Sequence, residues 1–143
     1  MKKPLLAALV VSSAALTACD GLPPTACNAM YAPDMVTIHF EDVAWSEGSW
    51  RLEIDELSCS FDLPTDPDTT LDCGDASDFW MVSNADGSGI SEVNVWEFAP
   101  ESFEVALYLD DELFDAKSFS PDYLVDEPNG RGCGERSSAE VTF

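Results

Sequence analysis

The 143-residue sequence carries 6 Lys or Arg and 28 Asp or Glu, which gives a formal net charge of −22. This charge excludes nucleic acid as a partner, because phosphate binding requires a basic surface. With 45% hydrophobic and 10% aromatic residues the chain is also too apolar for a disordered acidic tail, and its length predicts one folded domain.

The first eighteen residues have the layout of a secretory signal. A basic head at Lys2 and Lys3 precedes an uncharged apolar run that is too short to span a bilayer as a permanent helix. The run ends in Leu16-Thr17-Ala18-Cys19, which resembles the lipobox of bacterial lipoproteins. That resemblance implies a signal peptide at residues 1–18, cleavage before Cys19 and a diacylglyceryl group on the Cys19 sulfur. A plain secretory signal is the alternative.

Lipidation would hold the protein on a membrane. Each buried methylene contributes about 0.8 kcal/mol, so two or three acyl chains anchor a protein almost irreversibly. Residues 19–33 contain three prolines and are predicted to form a short stalk, followed by a folded domain at residues 34–143. Asp20 resembles the inner-membrane retention signal of enteric bacteria, a rule that varies between lineages. We therefore expect an exported protein anchored to a bacterial cell membrane, on its periplasmic or cell-surface side, with the choice of membrane open.

From residue 34 onwards, apolar and polar residues alternate with a period of two, which is typical of β-strands. The predicted strands cover residues 36–40, 50–54, 79–82, 90–98, 103–109, 112–114 and 139–143. Asp86-Gly87 and Asp110-Asp111 lie between apolar runs and predict tight hairpins. Short strands with turns at this spacing predict an all-β fold, an antiparallel β-sandwich with an immunoglobulin-like or transthyretin-like outline.

Cysteines add covalent constraints to this fold. With Cys19 assigned to the lipid, four cysteines remain, an even number that predicts two disulfides in an oxidising compartment. Four thiols allow three pairings. The preferred one joins Cys59 to Cys73 across a proline-containing segment predicted to be a loop. It also joins Cys27 to Cys133, which ties the stalk to the C-terminal strand and gives a disulfide-stapled sandwich.

The C-terminal segment carries a second resemblance. Pro121-Asp122-Tyr123, Pro128-Asn129-Gly130 and Cys133-Gly134 are similar to a pattern near the end of small lipoproteins from myxobacteria and related groups. The resemblance implies a β-sandwich of the transthyretin or carboxypeptidase-regulatory kind, without a known catalytic site. Many of those proteins have a further cysteine shortly after the first. Here Ser137 or Ser138 stands instead, which directs Cys133 towards Cys27. From the residues alone, Pro128-Asn129-Gly130 predicts a tight turn.

Catalytic motifs are missing from the sequence. His39 is the only histidine, and no HExxH, GxSxG, Walker or SxxK pattern occurs. Zinc held by the cysteines is the alternative to disulfides, and the absence of a CxxC pair disfavours it. Paired carboxylates could support glycoside hydrolysis, but 28 acidic residues produce such pairs by chance. We therefore expect a protein that is not an enzyme.

An aspartate-rich segment around Cys59 and Cys73 is a candidate metal site. Its acidic residues include Asp62, Asp66, Asp68 and Asp72. Carboxylate-rich loops can coordinate Ca²⁺, although the spacing here matches no EF-hand. A solvated acidic loop is the alternative, and in that case the protein has no cofactor.

Two tryptophans are candidate ligand-binding residues. Trp45 lies in a predicted turn, and Trp96 is on the same strand face as Glu92 and Asn94. Either ring could form a platform for a sugar or a protein partner, whereas burial is the alternative for Trp96. The predicted function is a non-catalytic, lipid-anchored envelope or surface module with a structural or protein-interaction role towards a basic partner. The alternative is a glycan-binding or calcium-dependent ligand-binding module.

Overall fold

The structure is a computed structural model that describes residues 27, 30–67, 70–71, 73 and 79–143. All regular structure in these residues is β-strand. The strands are β1 (Met35–His39), β2 (Gly48–Ile54), β3 (Leu57–Leu63), β4 (Thr70–Leu71), β5 (Phe79–Ser83), β6 (Ile90–Trp96), β7 (Phe103–Leu109), β8 (Glu112–Phe119), β9 (Leu124–Asp126) and β10 (Arg136–Thr142). None of the described segments forms a helix long and apolar enough to cross a bilayer.

The strands form two sheets, which confirms the predicted all-β sandwich. One sheet has the order β4-β5-β6-β1-β10-β9, and the other has the order β3-β2-β7-β8. All the pairs are antiparallel except β1 with β10, which run parallel. Parallel neighbours require a long crossover, and here almost the whole domain lies between the two strands.

One core fills the space between the sheets, and both sheets contribute alternate residues to it. On β2, the residues Trp50, Leu52 and Ile54 are buried, and their neighbours face outwards. β6 and β7 bury Val93, Val95, Phe103, Val105 and Leu107 in the same way. Burying one such side chain contributes about 1.5–3 kcal/mol. The period-two pattern therefore fixes which face of each strand meets the other sheet.

The segment after Cys59 differs from the prediction of a loop. β3 continues to Leu63, because Cys59, Phe61 and Leu63 alternate with polar residues and are buried against the core. Pro64 follows directly and ends the pairing with β2, since proline has no backbone N–H to donate.

The predicted hairpin at Asp110-Asp111 is confirmed. Both residues have positive φ, 50° and 68°, as a two-residue type I′ turn requires. The Ser49 backbone N–H donates to the Asp110 carboxylate at 3.1 Å, which ties the turn to β2. The Asp86-Gly87 turn also forms, with Gly87 at φ 72°. A Cβ on Gly87 would lie 2.0 Å from the Thr65 carbonyl oxygen, so this position requires glycine.

Both predicted disulfides are present. Cys27 joins Cys133 with 5.5 Å between the Cα atoms, and Cys59 joins Cys73 with 5.1 Å. The Pro128-Asn129-Gly130 turn is confirmed as well, because the Gly130 N–H donates to the Glu127 carbonyl at 3.0 Å. The N- and C-terminal parts of the described domain are thus covalently joined.

Candidate functional site

Two tryptophans lie together on the outer face of the six-stranded sheet. Trp96 alternates with the buried Val93 and Val95, as predicted, and Trp80 is at the register position of Asn94 on the neighbouring strand. The two rings are 6.1 Å apart between centroids and meet edge to face at 71°. Trp80 is 43% exposed. We call Trp80 and Trp96 the tryptophan pair.

A fixed row of polar side chains adjoins the tryptophan pair. The Thr37 hydroxyl donates to the Asn94 side-chain oxygen at 2.8 Å, and the Asn94 amide donates to Glu92 at 2.6 Å. Farther along the face, the two nitrogens of His39 lie 3.7 Å from the carboxylates of Glu92 and Glu140. An aromatic platform with oriented amide and carboxylate groups beside it can bind a flat polar ligand.

A pocket opens where the β2–β3 turn approaches the end of β6. It is an open depression of about 520 Å³. Its lining consists of Ile54, Asp55, Glu56, Leu57, Trp96, Glu97 and Phe98. We call it the hairpin pocket. Trp96 belongs both to this pocket and to the tryptophan pair, so the two features are adjacent.

The lining of the hairpin pocket combines apolar and acidic groups. Leu57 and Phe98 are half-buried against the core and supply an apolar floor, and the fully buried Ile54 lies beneath them. Asp55, Glu56 and Glu97 supply carboxylates, and all three residues are exposed. The pocket therefore offers negative charge above an apolar base.

The basic residues of the domain lie elsewhere. Beyond residue 3 the sequence has four of them, Arg51, Lys117, Arg131 and Arg136. Arg51 pairs with Glu53 and lies 4.0 Å from the Tyr108 ring centroid. Arg136 donates two hydrogen bonds to Asp126, and they raise the pKa of its guanidinium. Among the described residues, no basic side chain lines the hairpin pocket.

Trp45, the other candidate platform, is half-buried. Its ring is partly buried against the core, 4.7 Å from the Trp50 ring and 5.8 Å from the Phe40 ring. Gly89 passes so close that a Cβ there would lie 2.1 Å from the Trp45 ring. The Trp45 ring therefore covers one side of the core, and its contacts with the other aromatic rings remove part of its apolar surface from water.

The predicted calcium ligands are only partly described. Asp62 accepts a hydrogen bond from the Ser49 hydroxyl at 2.6 Å, and the Asp66 carbonyl accepts one from Ser83 at 2.9 Å. Asp68 and Asp72 lie outside the described residues. Within the part of the chain that is described, no group of three or more acidic, histidine or cysteine residues is arranged so that it could hold a metal ion.

Exposed large apolar residues also lie on β8, namely Leu113 and Phe114, on β9, namely Leu124 and Val125, and before β1, namely Met30 and Tyr31. β8 is the longest of these segments. It is an edge strand, so another chain could in principle pair with it. However, the β7–β8 register shifts near Phe114, and Lys117 is at the register position of the buried Val105. A bulge and a charge on the core side are devices that protect sheet edges, so β8 is a poor docking strand.

Trp80, Asp55, Glu56 and Glu97 were not among the residues predicted from sequence. Alternation within residues 79–82 contained the signal for Trp80, because Phe79 and Met81 are buried on the opposite face. Comparison of the chain with protein-family models, curated proteins and solved structures gives no match. The fold and the surface features therefore describe the chain as a β-sandwich with two disulfides and an aromatic and acidic surface.

Proposed function

We propose that this chain is an exported, lipid-anchored and non-catalytic interaction module that binds a basic protein partner. The observation that carries the proposal is the hairpin pocket, which the exposed acidic residues Asp55, Glu56 and Glu97 line together with apolar residues, with no basic side chain among the lining residues. Opposite charge on a partner would complement this surface, and complementary charge accelerates association and selects the partner.

The two disulfides support export. Disulfides form and persist in oxidising compartments, which include the bacterial periplasm and the cell surface. Cleavage at the lipobox would remove Lys2 and Lys3 and leave a net charge of 4 − 28 = −24. Such a charge repels anionic lipid headgroups, so a domain anchored through Cys19 would keep its binding surface available to a soluble partner.

Salt dependence tests the proposed recognition, with a hexalysine peptide as the probe. We expect binding that weakens at least tenfold as the ionic strength rises from about 0.1 M to about 1 M, because the Debye length falls from about 10 Å to about 3 Å. Isothermal calorimetry at several salt concentrations gives the Kd. A hexaglutamate peptide is the control and should not bind. Binding of hexalysine that is independent of salt, or no binding, contradicts the proposal.

Glycan binding is the second candidate, and the tryptophan pair favours it. Sugar rings stack on exposed aromatic faces, and Asn94 and Glu92 lie beside the pair with their hydrogen bonds fixed. We expect chitotetraose or cellotetraose to change the tryptophan fluorescence, and Trp80→Ala and Trp96→Ala to weaken binding at least tenfold. Leu113→Ala removes an exposed apolar side chain from the other sheet and should leave the Kd unchanged. Absence of a fluorescence change with either sugar removes this candidate.

A further inference from the structure

We infer that the hairpin pocket receives a single Lys or Arg side chain from an extended segment of the partner, with the side-chain stem on the apolar floor and the charged head among the carboxylates. This inference rests on the proposed function and gives it a specific site. It identifies the occupant by chemistry, because the pocket matches the two chemically different parts of a long basic side chain.

The apolar floor matches the stem of such a side chain. Lys and Arg bury their methylene stems along apolar surface and keep the charged head hydrated. Leu57 begins β3 and Phe98 follows the end of β6, and these two half-buried side chains present aliphatic and aromatic carbon at the base of the pocket. With about 520 Å³ the pocket lies in the size range of small-ligand sites, so it can accept one side chain and part of its backbone.

The carboxylates are held by backbone turns and hydrogen bonds. Asp55 has φ 49°, and one of its carboxylate oxygens accepts the Glu104 N–H at 2.9 Å. Glu97 has φ 54°, and its carboxylate accepts the Tyr31 hydroxyl while its N–H donates to the Asp34 carbonyl. Two of the three carboxylates therefore occupy defined positions before a ligand arrives, which reduces the entropy lost on binding.

The chain's own residues do not supply the cation. After the proposed cleavage before Cys19 has removed Lys2 and Lys3, the segment that precedes β1 has no Lys or Arg and cannot place a basic side chain in the pocket. A second copy of the chain is disfavoured because two molecules of net charge −22 repel each other. An uncharged apolar occupant would desolvate the carboxylates without pairing them, which is costly. A basic segment of another protein satisfies both parts of the lining.

Nuclear magnetic resonance titration tests the assignment. The probe is the capped peptide Gly-Lys-Lys-Gly, and the control peptide carries acetyl-lysine, which keeps the stem but removes the charge. We expect saturable shifts of the Ile54 and Leu57 methyl signals with the lysine peptide and an affinity at least tenfold lower for the acetylated one. Shifts of equal size and affinity with both peptides would show that charge does not matter and overturn the inference.

Two double variants with the same change in net charge separate the contribution of the pocket to binding from that of the overall charge. Glu56→Gln with Glu97→Gln removes two pocket carboxylates, and Glu101→Gln with Glu135→Gln removes two exposed carboxylates outside its lining. We expect the first pair to weaken peptide binding about tenfold and the second pair to weaken it less than twofold. Glu56→Gln alone, which leaves the Tyr31 contact with Glu97 in place, should weaken binding in the same direction.

The possible failures are distinguishable. If both double variants weaken binding equally while the salt dependence persists, recognition of a basic partner stands and the hairpin pocket is not its site. If the lysine peptide shifts only signals outside the pocket, the inference is overturned in the same way. If no basic peptide binds at any salt concentration, the proposed function fails together with it.

Discussion

Trp50→Ala is expected to lower the free energy of unfolding by about 3–5 kcal/mol, because the substitution empties the largest buried position of the core. Trp50 is 1% exposed, and its indole N–H donates to the Ser46 carbonyl at 2.8 Å. Its ring also contacts Trp45 and Phe114 edge to face, with centroids at 4.7 Å and 5.0 Å. A loss of this size is a large fraction of the stability of an ordinary domain.

The matched control is Trp80→Ala, the same change at a half-exposed position on the outer sheet face. It should cost less than about 1 kcal/mol, because little apolar surface returns to water there. Urea unfolding followed by circular dichroism gives both values, with m-values close to that of the unmodified protein. Equal losses for the two variants would contradict the placement of Trp50 in the core and of Trp80 on the surface.

Strands with one buried face could be predicted from sequence. Trp50, Leu52 and Ile54 alternate with polar neighbours, and burial selects that pattern directly. β3 shows the limit of this reasoning. Cys59, Phe61 and Leu63 alternate with polar residues, but the prolines and aspartates that follow favour a loop. In the structure those following residues end the strand and do not prevent it.

Pairing between strands that are distant in the sequence was harder to predict. The sequence predicted an antiparallel sandwich and gave no sign that β1 and β10 run parallel, because strand direction in a sheet depends on the path of the whole chain. Hairpins were predictable for the opposite reason. Asp110-Asp111 joins two adjacent strands, and its turn geometry depends only on residues within the turn.

The candidate site depends both on local alternation, which can be predicted from sequence, and on contacts between distant strands, which cannot. The position of Trp96 on the face of β6 that carries Glu92 and Asn94 follows from alternation and was predicted, whereas burial of its ring was the alternative. Its contact with Trp80 depends on the register between β5 and β6, and the hairpin pocket joins residues 54–57 with residues 96–98, which end β6 and follow it. Such contacts arise when the two sheets pack, so no local sequence pattern identifies them.

Removal of the Cys27–Cys133 disulfide is the second change with a large expected effect. The bridge closes a loop with a sequence separation of 106, so it restricts almost the entire unfolded chain. For a loop of about 100 residues, the chain-entropy model predicts a loss of about 4.7 kcal/mol from the free energy of unfolding. Cys27→Ala with Cys133→Ala makes the change, and intact mass with and without reductant verifies which bridges remain.

The Cys59–Cys73 bridge provides the comparison. Its sequence separation is 14, for which the same model predicts a loss of about 3 kcal/mol from loop closure. Because Cys59 is buried, its replacement by alanine also removes packing, so the loss of stability alone does not separate the two bridges. The m-value does, since it reports the surface exposed in the unfolded chain. We expect it to rise more when the long loop is opened than when the short one is. Equal m-values for the two double variants would show that the long bridge does not compact the unfolded state, and the predicted entropic stabilisation would then be wrong.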